Sequence, residues 1–231
     1  MAVRLDTRHA AFAEEFETLL GSKREVSEEV GTIVAAILND VRLRGDEAVL
    51  AYTDRFDQLP LTAATLAFSA DEIAEAEAQT PSEVRAALQV AHDRILAHHD
   101  KQKPLDHIYQ DALGVTLGTV WTPVEAVGIY VPGGTASYPS SVLMNAVPAR
   151  VAGVTRIAMV VPTPRGEVNP AVLAAARIAG VSEIYRIGGA QAVGALAFGT
   201  ETIKPVSRSS APAMPMSPPP SARCSARWAS I

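Results

Sequence analysis

Tyr130, Gln191 and two glycine pairs, Gly133-Gly134 and Gly188-Gly189, are the residues of this chain whose types and spacing could do chemistry. Each pair stands between an apolar run and a helical pattern, where a phosphate-cradling turn would stand, since backbone N–H groups at a helix start attract anions. Tyr130 lies near the end of the run Val127–Val131. A tyrosine at the carboxyl end of a parallel strand sits where open α/β sheets bind ligands. Gln191 falls in the first turn of the helix after the second pair, and its carboxamide, donor and acceptor at once, could read a nicotinamide or a ribose group. The spacing G-x-G-x-x-G is absent, and the second apolar run ends Val161-Pro162 with no acidic residue to hold a ribose hydroxyl. The pattern therefore does not support an ordinary Rossmann dinucleotide site. Plainer readings stand beside each candidate: tight turns that need small residues, a core tyrosine with its hydroxyl satisfied, a solvent-facing or capping glutamine.

Other reactive side chains suggest less. The histidines are His9, His92, His98, His99 and His107. His92 and His99 share a helical face two turns apart, too far for easy joint ligation, and the adjacent His98 and His99 diverge by about a hundred degrees. They read as solvated helix histidines, outside any recognisable metal motif. Asp71, Glu72, Glu75 and Glu77 sit at the start of a helix and suit its dipole, as a solvated face more than an acid/base pair. Cys224 lies in a compositionally odd tail and supports no nucleophile argument.

The candidates are carried by three apolar runs, Val127–Val131, Ile157–Val161 and Ile184–Ile187, each followed by a helical pattern. Short runs without polar alternation, separated by helices, indicate a parallel sheet covered on both faces. Upstream, residues 8–20 read as a short helix closed by Gly21, and Ser27 as the cap of a second one that continues, with a break near Gly45, to Tyr52. Asp54, Arg55 and Asp57 mark an exposed turn, and Thr65–Phe68 a brief strand. Ser69 with Glu72, and Thr80-Pro81-Ser82-Glu83, are capping patterns for two more helices, the second burying Val84, Leu88, Ala91 and Ile95. Residues 108–121 read as bent strands, with a hairpin leading into the Tyr130 strand as one form.

The expected fold class is α/β: an incomplete Rossmann-like parallel sheet flanked by helices, preceded by an N-terminal helical region with short strands. The divisions are a helical region over 1–125, the Rossmann-like unit over 126–206 and a disordered tail over 207–231. With 48% hydrophobic residues in 231, a substantial core is within reach. A net charge of −5 and the lack of a basic block argue against a nucleic-acid partner. No apolar run is long enough to span a membrane, and a single cysteine fits a reducing cytoplasm. From Ser207 onward the chain is mostly Ser, Pro, Ala and Arg, which buries too little apolar area to offset its ordering entropy.

Three strings, Gly128-Ile129-Tyr130-Val131-Pro132-Gly133-Gly134, Val142-Leu143-Met144-Asn145-Ala146-Val147-Pro148-Ala149 and Ile187-Gly188-Gly189-Ala190-Gln191-Ala192, resemble histidinol dehydrogenase, and the resemblance runs to about Val206. It implies that Tyr130 and Gln191 contact NAD. A third contact of that family, the asparagine of Gly-Pro-Gly-Asn, has no counterpart here. Back-translated and shifted by one base, however, the stretch from Arg208 reads Val-Gly-Pro-Gly-Asn-Ala-Tyr and continues in a family-like string. A single-base slip near Ser207, making the tail an out-of-frame translation of a longer protein, is the corresponding expectation.

The resemblance further implies oxidation of L-histidinol to L-histidine through the aldehyde, the last steps of histidine biosynthesis, with NAD used twice. It implies a zinc ion on the substrate, a Glu-His pair for the protons, and a homodimer. The zinc ligands and the Glu-His pair would all lie beyond the matched region, so this chain is expected to lack catalytic and metal residues and to be inactive on its own. Two other readings compete: a related zinc- and NAD-dependent alcohol dehydrogenase acting on another small polyol, and a binding module that has lost catalysis.

Overall fold

The structure, a computed structural model, describes residues 5–133 and 138–210, with the backbone alone over 20–29. Helix α1 runs Phe12–Arg44 without interruption. The pattern predicts two helices parted at Gly21, but one glycine in a helix interior costs only about 1 kcal/mol, and good helix formers flank it. The expected break does come at Gly45, whose φ of 55° ends α1 and starts α2, Asp46–Asp57. Glu201 accepts from the Asp46 amide at 2.7 Å, and the Asp46 carboxylate accepts from the Thr202 hydroxyl, fastening this corner to the far end of the chain.

The expected strand at Thr65–Phe68 is instead a 3-10 turn, Ala63–Thr65, followed by a short edge. There Phe68 donates to the Ile184 carbonyl and Arg186 donates to that of Leu66. Helix α3, Ala70–Gln79, starts with the predicted capping box: the Glu72 amide donates to Ser69 Oγ and the Ser69 amide to Glu72 Oε2. Helix α4, Ser82–Asp100, begins after Pro81. Thr80, expected to cap it, turns its hydroxyl back to the Ala76 carbonyl at 2.8 Å and closes α3 instead. The hairpin is present as β1, His107–Gln110, against β2, Thr116–Thr119, and both strands are exposed.

The core sheet holds β3 (Ala126–Tyr130), β4 (Arg156–Val160), β5 (Glu183–Tyr185) and β6 (Arg208–Ser210). Their order is β5-β4-β3-β6, all pairs parallel. The three predicted strands are the first three. The fourth comes from the segment expected to be disordered: Ser207 donates to the Ala126 carbonyl, and Arg208 to Ser210 pair with Val127 to Ile129. Ladder bonds use the backbone, so a strand of Arg-Ser-Ser can complete an edge without apolar side chains.

Alternation along the strands divides the core in two. Ile129, Ile157, Met159 and Ile184 face α3, α4 and the helices α5 (Pro139–Val151) and α6 (Pro170–Ile178). The predicted α4 stripe of Val84, Leu88, Ala91 and Ile95 lies there. Ala126, Ala158, Val160 and Tyr185 face α1, α2 and α7 (Gly189–Phe198). Both faces are covered, as a parallel sheet requires.

Candidate functional site

The carboxyl ends of β3, β4 and β5 form one rim. Where β4 leaves the sheet, Pro162 is gripped from both sides: a Cβ on Gly133 would fall 1.9 Å from its carbonyl oxygen, and the Gly188 backbone lies against its ring. Only glycine fits such an approach at Gly133. The expected phosphate turn is described only in part, because Gly134 lies outside the described residues.

Tyr130 ends β3 on the α7 side of the sheet, half-buried beside Leu38 and Val193. Its hydroxyl accepts a hydrogen bond from the Gly189 amide at 3.1 Å. That amide is one of the free donors at the start of α7. Burial pushes the phenol above its ordinary value of 10.0, the Gly189 amide pulls it back, and the negative charge of Asp57 adds to the rise. The phenol therefore keeps its proton at neutral pH and has it to give.

Gln191 sits in the first turn of α7 and is 1% exposed, so it neither faces solvent nor caps the helix. Both of its amide atoms are buried without a hydrogen-bond partner. A Cβ on Gly189, whose φ is 62°, would fall 2.6 Å from Gln191 Oε1. Glycine at 189 thus allows the amide to fold back over the helix start. Tyr130 and Gln191 meet at this one residue, the first through its amide and the second through the space a side chain would fill.

Two polar groups at this end of the molecule were not singled out by sequence reasoning. Thr163, just past β4, is 1% exposed, and its hydroxyl is buried without a partner. Asp57 is the last residue of α2 and not part of an exposed turn, and its Oδ2 is also buried without a partner. Burial pushes its carboxyl above the ordinary 3.8. A polar residue directly after a strand's carboxyl end was a readable signal for Thr163. Nothing local marked Asp57, which arrives from a helix about 70 residues upstream of Tyr130 in an order set only by tertiary packing.

The remaining candidates do not join the rim. Glu72 and Glu77 are ion-paired to Arg186 and Arg177 at 2.8 and 2.9 Å, so the acidic start of α3 is partly structural and not simply solvated. His92 bonds Asp93, and His98 packs edge-on to its neighbour His99. Among the described residues no three His, Cys, Asp or Glu side chains converge to hold a metal. A groove of about 680 Å³ lined by Pro104, Leu105, Trp121, Val127, Val151 and Arg208 opens at the opposite, amino end of β3.

A covered parallel sheet with orphaned polar side chains at its carboxyl rim defines an α/β ligand-binding unit. The sequence profile described as histidinol dehydrogenase matches residues 21–212. Over 208 residues the chain is 59% identical to the histidinol dehydrogenases of Rhizobium meliloti and Agrobacterium fabrum, covering 90% of this chain and 48% of each relative. The crystal structure of histidinol dehydrogenase from Elizabethkingia anophelis superposes with a TM-score of 0.76 at 37% identity, covering 81% of this chain and 43% of that one. The chain belongs to the histidinol dehydrogenase family, and it spans about half the length of the curated relatives it matches.

Proposed function

We propose that this chain forms the NAD-binding part of an enzyme that oxidises L-histidinol to L-histidine in the last steps of histidine biosynthesis. The observation that carries the reading is the buried Gln191 amide, with two unpartnered atoms, folded onto the residue that holds the Tyr130 hydroxyl. Buried polar groups are rarely left unpaired, and a ligand is a standard reason when they are. NAD would supply the acceptor for the electrons of the alcohol. Tyr130 would donate a hydrogen bond from its phenolic hydroxyl to the cofactor. Gln191 both donates and accepts, which matches a carboxamide or a ribose hydroxyl. The α7 start lends its partial positive charge to whatever anionic group approaches.

No step through zinc is derived, since this chain's described residues do not build its site. The metal, the proton-transferring pair, a homodimeric assembly and a cytoplasmic setting belong to the whole family protein and are proposed only for it. The 231-residue chain alone is proposed to bind NAD without turning over histidinol. Calorimetric titration tests this. Wild-type chain should bind NAD saturably, and Tyr130→Phe and Gln191→Ala should each weaken it about tenfold, the worth of one good hydrogen bond. Equal affinity in all three proteins would refute the assignment.

A further inference from the structure

Among the described residues five buried side-chain atoms have no partner, and four of them belong to Asp57, Thr163 and Gln191. The fifth, on Arg186, belongs to a guanidinium already paired with Glu72 and stacked on Phe68. The other three residues come from α2, from the end of β4 and from the start of α7. Those elements are packed together: α2 lies against the turn Pro164–Gly166 that follows Thr163, and against α7. Leu59, just past α2, reaches to within 3.6 Å of where a Gly166 Cβ would stand. Asp57 is close enough to Tyr130 for its charge to act on the phenol, yet no hydrogen bond joins them.

Asp57 is half-buried, and its Oδ2 is buried without a partner at the end of a helix, where the dipole is also negative, so it is costly to keep ionised there. A ligand gives a reason to keep it. Asp57 has lone pairs to offer, and Tyr130 has a proton to offer. A ribose hydroxyl is donor and acceptor together, so it satisfies both at once. The geometry points to Asp57 as the carboxylate that accepts a hydrogen bond from a ribose hydroxyl of the bound dinucleotide. This restores the acidic residue that is missing after the second strand, supplying it from a different element. The inference rests on the NAD reading above.

The test is calorimetric titration of the 231-residue chain and its Asp57→Asn variant with NAD, together with thermal melts of both without ligand. Asparagine keeps the shape and loses the negative charge and one acceptor. The expected result is a loss of NAD affinity of at least about tenfold, with a ligand-free melting midpoint equal to or above that of wild type, because a half-buried charge with an unpartnered oxygen has been removed. Wild type that binds NAD while Asp57→Asn binds within about twofold of it overturns this inference and leaves the NAD reading standing. A lower ligand-free midpoint in the variant assigns Asp57 to holding α2 in place, and also overturns it. Wild type that does not bind NAD overturns the NAD reading, and this inference with it.

Discussion

Gln191 is the most uneconomical side chain in the structure: 1% exposed, with neither amide atom hydrogen-bonded. Each unmet buried group of this kind costs about 1–3 kcal/mol. Gln191→Leu, which keeps the approximate volume and removes both orphans, should raise the free energy of unfolding by about 1–3 kcal/mol, read as a higher denaturant midpoint at unchanged slope. An unchanged or lower midpoint would mean that the amide already has a structural partner. The shared placement of Gln191 and Tyr130 at one end of the sheet was legible in the sequence, because each lies at a junction of strand, glycine and helix. Asp57 was not legible. Its neighbours Asp54 and Arg55 are exposed and charged, so local composition spoke for a solvated turn. Only the packing of α2 against α7 turns its carboxylate inward.

At the scale of elements, patterns of burial were read correctly and local end signals less so. Helices α3 to α7 lay where the patterns put them, and the three strands of Val127, Ile157 and Ile184 fell in the predicted runs. Gly21 and Thr80 misled because caps and single glycines are worth about 1 kcal/mol, and tertiary packing outweighs that. β6 was illegible because its ladder is made by backbone on the free edge of β3. The amino-end corner of the sheet is tied instead by Arg156, which pairs with Glu183 in a two-bonded fork at 2.9 and 3.0 Å and donates to the carbonyls of Lys204 and Pro205. The Arg156 guanidinium holds the Glu183 carboxyl below its ordinary 4.5. A depressed carboxyl contributes stability above its unfolded value and loses it as pH falls through its folded one. Glu183→Gln should therefore melt lower than wild type at pH 7, and the gap should close as the pH is taken below 4.5. A gap that stays constant across that range would show that the pair contributes nothing through charge.

Among the described residues, unsatisfied polar side chains lie at one end of the sheet and an apolar-lined groove at the other. The carboxyl rim holds the orphans Asp57, Thr163 and Gln191. The amino end carries the groove with Leu105 and Trp121, 84% and 58% exposed. The chain covers 48% of its curated relatives, and the dinucleotide is proposed for the carboxyl rim of this half. Nucleotide at the carboxyl rim is the central claim. A crystal structure of the chain grown with NAD tests it most directly. The expected result is density at the rim, with Tyr130 Oη and the Gln191 amide both within hydrogen-bond distance of the cofactor. NAD bound in the groove beside Trp121, with the Tyr130–Gly189 hydrogen bond and the unpartnered Gln191 amide unchanged, would contradict it.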